Sequence, residues 1–354
     1  MDLRKVKIAI VGCGTISQLN VPGYLQHEQC EIVALCDPDM ERARFRASQW
    51  GISPEIYSDY DDILNNSYVD AVEILSPTYL HAQQILDGLS AGKHISCQKP
   101  IASTLKETRE IANALKSTNL KFRVTENFIF YPPIMKAKEL MDEHLIGEPS
   151  MVRIRTVRGK KSERDFKSTP EAAIWRNNPS LHAGGLLYDD GWHKYATAIW
   201  WLGNIEQVQS IVTQNDDLLD DTPSAAIWKF ERANCLGIFD YSSAPEMTIR
   251  GKYYPSDEFF EIQGSKGAIY VTRCTGEMLD LPPVMLVRSS DITDIQVPTD
   301  WIEGFNGSAK HFIDSILYDE EPMMDIDFSL HTLQVANAMY EASRLGKPVD
   351  PRML

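Results

Sequence analysis

The feature that most restricts the fold of this chain is an aliphatic run that ends in two closely spaced glycines. Val6–Val11 has the pattern of a buried β-strand, Gly12-Cys13-Gly14 follows it, and a helical pattern begins at Thr15. The first glycine permits the tight turn between strand and helix, and the second lets another group approach the main chain. The unpaired N–H groups at the start of the helix attract an anion. This passage predicts the first unit of a dinucleotide-binding domain.

A carboxylate further along the chain strengthens this prediction, because the glycine pair alone could be an ordinary turn. Asp37 follows the second predicted strand, Glu31–Cys36, at the point where a carboxylate accepts hydrogen bonds from the ribose hydroxyls of a dinucleotide. The same carboxylate repels a 2′-phosphate, so NAD is preferred over NADP, while Arg42 and Arg44 leave NADP open. The cofactor contacts predicted in this region are Gly12, Gly14, Thr15, Ile16 and Asp37.

The first third of the chain alternates short aliphatic runs with longer amphipathic stretches. This alternation is typical of a parallel sheet wound with helices, and it predicts a Rossmann domain with a doubly wound parallel sheet over residues 1–128. The predicted strands are Val6–Val11, Glu31–Cys36, Ala71–Leu75, His94–Cys97 and Lys121–Thr125. The predicted helices are Thr15–Gln26, Met40–Trp50, Tyr79–Ala91 and Leu105–Ser117.

The pattern changes after Pro132 and Pro133. A helix at Ile134–His144 is followed by strand-like runs without helices between them, which predicts an antiparallel sheet, and the spacer Gly264–Gly267 predicts a hairpin. We therefore expect an α/β protein whose second domain, residues 129–354, is α+β with a large open antiparallel sheet. Its predicted strands are Met151–Val157, Gln207–Thr213, Ala225–Phe230, Leu236–Ser242, Phe259–Gln263 and Ala268–Thr272, and its last helices are Ser308–Leu317 and Phe328–Leu345.

Charge and composition exclude several classes of partner. The net charge is −15, from 35 Lys and Arg residues against 50 Asp and Glu residues, so the surface repels nucleic acid and anionic lipid. The densest apolar run, Ala196–Leu202, is far shorter than the roughly 18 residues of a membrane span. The six cysteines show no Cys-x-x-Cys spacing and no cluster with histidine, so we expect reduced thiols and no metal site. The sequence predicts a cytoplasmic protein whose partner is a small molecule, with no nucleic acid and no membrane.

Three further segments carry motifs that are more specific than the glycine pair. They are Ser76-Pro77-Thr78-Tyr79-Leu80-His81, then Gln98-Lys99-Pro100, then Gly184-Gly185-Leu186-Leu187-Tyr188-Asp189-Asp190-Gly191-Trp192-His193. In this order the chain resembles the glucose-fructose oxidoreductase and inositol dehydrogenase family, Gfo/Idh/MocA, and the resemblance extends to the helix that contains His311-Phe312-Ile313-Asp314. It implies that Lys99, Asp189 and His193 are catalytic and meet beside a nicotinamide. Gln98 departs from the family, which has glutamate there, so a negative charge beside Lys99 is lost.

The residue types support these roles independently. Lys99 follows the predicted strand His94–Cys97, and open α/β sheets bind ligands beyond the carboxyl ends of their strands. Asp189 and His193 are four residues apart, so in a helix the carboxylate could orient the imidazole, and histidine exchanges protons near neutral pH. The alternatives are a surface lysine at Lys99, a structural histidine held by a nearby acid, and a zinc pair that lacks further ligands.

The resemblance also implies contacts around the nicotinamide and the substrate. Trp175-Arg176 would face both, and Asn127, beyond the last predicted strand of the first domain, would lie at the nicotinamide end. Packing and loop capping are the alternatives for these residues. The further predicted cofactor contacts are Ser76, Pro77, His81, Gln98, Lys99, Asn127, Trp175 and Arg176. The predicted substrate contacts are Lys99, Asn127, Arg176, Asp189 and His193.

The expected activity is NAD(H)-dependent hydride transfer between nicotinamide and a secondary alcohol carbon of a sugar, cyclitol or glycoside. One alternative is a redox-neutral glycoside hydrolase that uses NAD through transient 3-keto oxidation. Another is a non-catalytic protein that senses nucleotides, because a fold alone does not determine chemistry. An open antiparallel sheet needs cover on its exposed face, and the resemblance implies that subunits supply it in a homodimer or homotetramer.

Overall fold

The computed structural model describes residues 4–161, 174–178, 181–182, 184–213, 215 and 220–354. The chain forms two compact units, and the first break between them falls between Asn127 and Phe128. Each unit draws on separate stretches of sequence. The first unit takes the described residues of Met1–Asn127, Ser168–Ala183 and Phe305–Leu330, and the second takes those of Phe128–Lys167, Gly184–Gly304 and His331–Leu354.

The first unit is built on a six-stranded parallel sheet in the order β3-β2-β1-β4-β5-β6. The chain adds β2 and β3 on one side of β1 and then crosses over to add β4 on the other side. This switch opens a crevice at the carboxyl ends of β1 and β4, where such sheets bind ligands. The predicted Rossmann fold is confirmed. Its strands are β1 (Val6–Val11), β2 (Cys30–Cys36), β3 (Glu55–Tyr57), β4 (Ala71–Ile74), β5 (His94–Gln98) and β6 (Phe122–Thr125), and its helices are α1 (Ser17–Gln26), α2 (Met40–Trp50), α3 (Tyr60–Asn65), α4 (Thr78–Ser90) and α5 (Leu105–Leu115).

Local sequence signals explain where these helices begin and end. Asp39 caps α2 by accepting the backbone N–H of Arg42 at 3.1 Å, and Gly51 ends the helix with a φ of 67°. Thr104 and Glu107 form a reciprocal capping box at the start of α5. These caps fix the positions of helices that pack on the sheet.

The core of the first unit includes residues from much later in the sequence. Phe312 and Ile313 are buried in the same apolar cluster as Ile8 and Ile10 of β1. Arg123 of β6 is 1% exposed and donates hydrogen bonds to Ser96 Oγ at 3.0 Å, to Tyr24 Oη at 3.1 Å and to the Ser308 carbonyl. The helix that contains Ser308 and Phe312 is therefore part of this unit's packing.

The second unit contains, within the described ranges, an eight-stranded sheet in the order β14-β13-β12-β11-β7-β10-β9-β8. All neighbouring strands are antiparallel except β7 and β10, which are parallel. The predicted open antiparallel sheet is thus confirmed with one parallel pair, and the hairpin β11–β12 forms at the predicted glycines. The strands are β7 (Pro149–Lys161), β8 (Ile205–Val212), β9 (Ser224–Phe230), β10 (Leu236–Ile249), β11 (Ser256–Gly264), β12 (Gly267–Val271), β13 (Val284–Arg288) and β14 (Asp291–Ile295). The helices of this unit include α6 (Pro132–Asp142), α7 (Leu186–Asp189) and α8 (Gly191–Leu202), and two later helices, α9 (Ile302–Tyr318) and α10 (Ile326–Leu345), have residues in both units.

Three strands (β3, β13 and β14) and three helices (α3, α7 and α8) were missing from the sequence prediction. β3 has only three residues, and α3 that follows it is a short helix of six, so neither gives a readable period. The pair β13–β14 lies at the edge of the second sheet, and four of the five residues of β14 are exposed. An edge strand with little burial lacks the alternation on which strand prediction depends. Among the helices of the described ranges, none has the length and apolarity needed to cross a membrane.

Candidate active site

The structure gives a different reason for glycine at each of the two positions after β1. Gly12 has a φ of 98°, and a Cβ placed there would lie 2.8 Å from the Leu75 carbonyl carbon and 2.9 Å from the Ser76 nitrogen. The turn itself therefore requires glycine at this position. A Cβ on Gly14 would meet no protein atom within 4 Å among the described residues. The open space beside Gly14 leaves room for a bound group to approach the main chain.

The start of α1 lies next to this space. Its N-cap residue is Ile16, whose side chain cannot accept a hydrogen bond from the first turn. Ser17, at the third position of the glycine pattern, is fully buried and donates a hydrogen bond from Oγ to the Gly14 carbonyl at 2.7 Å. The serine thus braces the turn, and the helix start keeps N–H groups that can bind an anion.

Asp37 ties the glycine turn to the end of β2. The residue is 3% exposed, Oδ2 accepts the Cys13 N–H at 2.8 Å, and Oδ1 accepts the Asp39 N–H at 2.9 Å. Oδ1 also accepts a hydrogen bond from Arg42 at 3.4 Å. Because a carboxylate oxygen has two lone pairs, Oδ2 can accept one further hydrogen bond. Arg42 lies 3.4 Å from both Asp37 and Asp39, and Arg44 pairs with Glu41 at 2.5 Å. Arg42 and Arg44, the residues for which NADP was kept as an alternative cofactor, are therefore both paired with acidic side chains.

His81 connects the loops that follow β4 and β5. The ring is fully buried, Nδ1 lies 2.8 Å from the Pro100 carbonyl and Nε2 lies 2.9 Å from the Ser76 carbonyl. Burial lowers the pKa of His81, and the two carbonyl contacts oppose this shift. Its ring nitrogens both face the main chain, so this residue holds the loops at the carboxyl edge of the sheet together.

Two buried amides lie at the same edge. Gln98 ends β5, and Asn127 lies two residues beyond Thr125, which pairs with Gln98 across β5 and β6. Within the described chain, Gln98 Nε2 and Asn127 Nδ2 are buried and have no hydrogen-bond acceptor. Buried donors normally have a partner, so these amides fit a bound polar group. Gln98 Oε1 accepts the Lys99 N–H at 2.8 Å, and the half-buried Lys99 precedes Pro100 through a cis peptide bond.

Trp175 and Arg176 belong to the first unit although they lie between strands of the second. The Arg176 guanidinium lies 4.3 Å from the centre of the Trp175 ring, and the Trp175 ring lies 6.4 Å from that of Tyr79 in the first turn of α4. His182 contacts Trp175 edge to face, with ring centres 5.3 Å apart. The structure thus brings Trp175 and Arg176 next to α4, which begins at Thr78, directly after Pro77.

Asp189 and His193 lie in the second unit, on two consecutive helices. Asp189 ends α7, Asp190 joins the helices in an α conformation, and His193 lies in the first turn of α8. The His193 N–H bonds to the Asp190 carbonyl at 3.2 Å, which tightens the junction by one residue. The imidazole is 7% exposed and stacks on Phe128, with ring centres 4.6 Å apart and an interplanar angle of 18°. A single helix, in which Asp189 and His193 would share a face, is therefore interrupted at Asp190.

Sequence reasoning missed two buried acidic groups beside these helices. Asp221 accepts the Leu187 N–H at 3.2 Å and the Tyr340 hydroxyl at 2.6 Å, which anchors the start of α7. Burial raises the pKa of Asp221 to about 6, against the effect of these hydrogen bonds. Glu258 and Asp190 both contact the buried Lys194. The Asp190–Lys194 spacing of four was a readable signal. Asp221 stands in an acidic run that is typical of a solvated turn, yet it is 6% exposed, and nothing in the sequence marked Glu258.

Comparison with protein families gives two matches that together span most of the chain. The NAD-binding Rossmann-fold domain of the Gfo/Idh/MocA oxidoreductase family matches residues 6–126. The C-terminal alpha/beta domain of the same family matches residues 138–350. The two matched regions meet close to the break between the compact units.

Individual proteins are similar over nearly the whole length. D-xylose 1-dehydrogenase (NADP(+)) 2 of Haloferax volcanii is 23% identical over 345 residues, covering 96% of this chain and 98% of that protein. An oxidoreductase from Agrobacterium radiobacter, solved with NAD+, L-tartaric acid and magnesium, has a TM-score of 0.84 at 20% identity and covers 99% of this chain and 100% of its own. Scyllo-inositol dehydrogenase from Lactobacillus casei, solved with NAD(H) and scyllo-inositol, has a TM-score of 0.77 at 22% identity, with coverage of 99% and 100%. The structural likenesses show the fold.

Proposed function

Because the chain belongs to the Gfo/Idh/MocA family of NAD-binding oxidoreductases, we propose that it oxidises or reduces a secondary alcohol carbon of a sugar, cyclitol or glycoside with NAD(H). The observation that carries this proposal is the carboxyl edge of the parallel sheet. The open space at Gly14, two buried amide nitrogens and the amine-bearing Lys99 all lie at or beyond the ends of strands of one sheet. The amide nitrogens are those of Gln98 and Asn127, which have no acceptor among the described residues. Such an edge fits a dinucleotide and a reacting alcohol.

The residues of the first unit fit the cofactor. The start of α1 would hold the pyrophosphate, and Asp37 Oδ2 would accept a ribose hydroxyl with its remaining lone pair. NAD is proposed over NADP because Arg42 already forms ion pairs with Asp37 and Asp39, and Arg44 forms one with Glu41. When bound, the nicotinamide supplies or accepts the hydride. The further proposed contacts are Thr15, Ile16, Ser76, Pro77, His81, Gln98, Asn127, Trp175 and Arg176.

A matched pair of substitutions tests this assignment. Gly14→Ala is expected to weaken NAD binding at least about 10-fold without lowering the melting temperature, because the added methyl group occupies the space beside the turn rather than protein atoms. Gly12→Ala is expected to lower the melting temperature as well, because its Cβ would overlap the Leu75 carbonyl. Calorimetric titration with NAD and a thermal melt would measure both. Unchanged NAD affinity in Gly14→Ala would contradict the placement of the pyrophosphate.

The proposed proton chemistry uses Lys99, Asp189 and His193. In oxidation, His193 takes the hydroxyl proton on its imidazole, and Asp189 orients and stabilises the charged ring. Lys99 donates a hydrogen bond from Nζ to the substrate oxygen as negative charge develops on it. Asn127 and Arg176 bind further hydroxyl groups of the substrate. In reduction the same atoms return the proton to the carbonyl oxygen.

The substrate class is tested directly by turnover. Purified protein with NAD is expected to form NADH with at least one member of a panel of sugars, cyclitols and glycosides. The xylose and scyllo-inositol dehydrogenases among its relatives suggest the first compounds to include. The panel also separates the alternatives: a glycoside hydrolase would release an aglycone without accumulating NADH, and a nucleotide sensor would bind NAD and react with nothing. The named relatives are dehydrogenases and favour neither alternative.

We propose that the chain forms a homodimer or homotetramer through the second sheet. Ile227 and Ile238 are 53% and 37% exposed and lie directly opposite each other on β9 and β10. Ile211 on β8 is 74% exposed and lies opposite Ala225 on the same face. Apolar side chains on three neighbouring strands make a contiguous surface that a second subunit would cover.

A cytosolic location is part of the proposal, supported by six free cysteines.

The oligomer has its own test. Ile227→Glu is expected to convert the assembly into a smaller species in sedimentation velocity, because a charge would be placed in the centre of an apolar contact. Tyr318→Glu, at a side chain 63% exposed at the end of α9, is the control and should leave the sedimentation coefficient unchanged. A monomeric unaltered protein, or an Ile227→Glu variant of unaltered size, would exclude this interface.

A further inference from the structure

A cluster of buried charges lies behind the proposed catalytic histidine. Lys194 is fully buried, and its Nζ lies 2.7 Å from Asp190 Oδ2 and 3.5 Å from Glu258 Oε1. Glu258 is 2% exposed. Burial lowers the pKa of Lys194, but the two carboxylates outweigh this effect and raise it above its ordinary value. The ammonium is therefore charged and held between two acids in the interior of the second unit.

The cluster connects the junction of two helices to the sheet. Asp190 is the single residue between α7 and α8, and Lys194 lies one turn further along α8. Glu258 belongs to β11, and its Oε2 accepts the Thr275 hydroxyl at 2.6 Å and the Thr275 N–H at 3.2 Å. The Tyr241 hydroxyl of β10 also hydrogen-bonds with Asp190. The helix junction is thus attached by polar contacts to two strands.

The same cluster is connected to His193 by two kinds of contact, one through the backbone and one through the Phe128 ring. Through the backbone, the Asp190 carbonyl accepts the His193 N–H at 3.2 Å. Through a side chain, the Lys194 Nζ lies 5.2 Å from the centre of the Phe128 ring, on which the His193 imidazole stacks at 4.6 Å. A cation at this distance from an aromatic ring is attracted to its face. Both the main chain and the ring partner of His193 are therefore in contact with the triad.

The buried charges contribute more to the positions of the surrounding side chains than to the free energy of unfolding. Taking an ammonium and two carboxylates out of water costs about as much as their attraction returns, so apolar residues of similar volume would serve the core equally well. Charge-assisted hydrogen bonds are directional, however, and they fix the atoms that they join. A displacement of about 1 Å at a reacting group can cost a factor of about 10² in rate.

We infer that Asp190, Lys194 and Glu258 form a positioning triad that holds the imidazole of His193 against Phe128. None of the three touches the substrate in this assignment. Asp190 fixes the junction that carries Asp189 and His193, Lys194 holds the Phe128 ring, and Glu258 anchors Lys194 to β11. The kinetic part of the inference rests on the proposed function, whereas the placement of the ring can be measured without turnover.

The test uses the double variant Lys194→Met/Glu258→Gln in the full-length protein. The triad carries one positive and two negative charges, and the double variant keeps a single negative charge, so the net charge of −1 is unchanged. We expect kcat to fall about 10- to 10²-fold, with KM and the NAD dissociation constant changed by less than about threefold. Asp190→Asn, which keeps the shape of the side chain, is expected to act in the same direction. Lys93→Met is the control, because Lys93 is a buried lysine of the first unit that bonds only to carbonyls of Asn66 and Val69 in the described chain.

The readout that is independent of activity is the NMR signal of His193. The protein has eight histidines, so labelling histidine Cε1 with carbon-13 gives few resonances, and His193→Ala identifies the one from His193. That resonance is expected to shift in the double variant and in Asp190→Asn, and to stay in place in Lys93→Met. A folded double variant whose His193 resonance does not move overturns the inference, whatever its rate, and so does one whose kcat stays within about twofold. If the unaltered protein turns over no sugar or cyclitol, the proposed function fails, and the resonance alone decides the positioning role.

Discussion

Lys99→Met is expected to lower kcat by about 10²- to 10³-fold while NAD affinity stays within about twofold. Methionine keeps the length and the apolar body of the lysine side chain but cannot donate a hydrogen bond to a developing alkoxide. The backbone hydrogen bond from Lys99 to Gln98 Oε1 does not involve the ammonium, so the turn after β5 should survive. Steady-state kinetics with the substrate from the panel and calorimetric titration with NAD measure the two quantities.

Lys106→Met is the matched control for this substitution. Lys106 lies on α5 with 87% of its side chain exposed and pairs weakly with Glu110 at 3.9 Å. Its loss should change neither kcat nor NAD affinity. Full activity in Lys99→Met would remove the lysine from the mechanism, whereas a loss of NAD binding of the same size as the loss of kcat would assign it to the cofactor alone.

Local patterns made the first unit predictable. The bounds of β1 and α2 agree with the prediction, because one is a continuous buried strand and the other has a capping aspartate and a terminal glycine. The glycine pair and Asp37 were both predicted as cofactor contacts, and in the structure the Cys13 N–H between the two glycines bonds to Asp37. Each of these features is encoded within a few residues or by a known crossover between strands.

Long-range packing was not predictable in the same way. Trp175 and Arg176 lie between β7 and β8 in sequence but pack beside Tyr79 in the first unit, and Phe312 joins the core around β1. The periodicity of hydrophobic residues identifies a helix or a strand but does not indicate which sheet that helix or strand packs against. For Trp175 and Arg176 only the family resemblance pointed to a place near the cofactor.

The buried charges show a second limit of sequence reading. Lys194 stands in an apolar helix, where a lone lysine is usually directed to solvent. Its burial depends on Glu258, which is 64 residues away on another element and has no local signature. Pairing partners of this kind are found only when the chain is folded. The sequence could therefore assign a role to His193 but could not identify the side chains that support it.

His193→Ala is expected to lower kcat by about 10²- to 10⁴-fold, the range typical of a removed general base. The substitution also deletes the ring that stacks on Phe128, so a loss of activity alone could reflect packing. His193→Phe separates the two causes, since phenylalanine retains an aromatic ring on Phe128 but carries no proton acceptor. Both variants should lose activity to a similar extent, and both should bind NAD as the unaltered protein does.

The pH profile of alcohol oxidation provides the sharper criterion. If His193 takes the hydroxyl proton, kcat/KM in the unaltered protein should rise with pH across the range in which histidine loses its proton, and this rise should be absent from both variants. Asp189→Asn should keep a rise but lower the rate, because the imidazole remains while its charged partner is lost. A His193→Phe variant that retains both the rate and the rise would show that another group accepts the proton, and that the imidazole is held on Phe128 as part of the core.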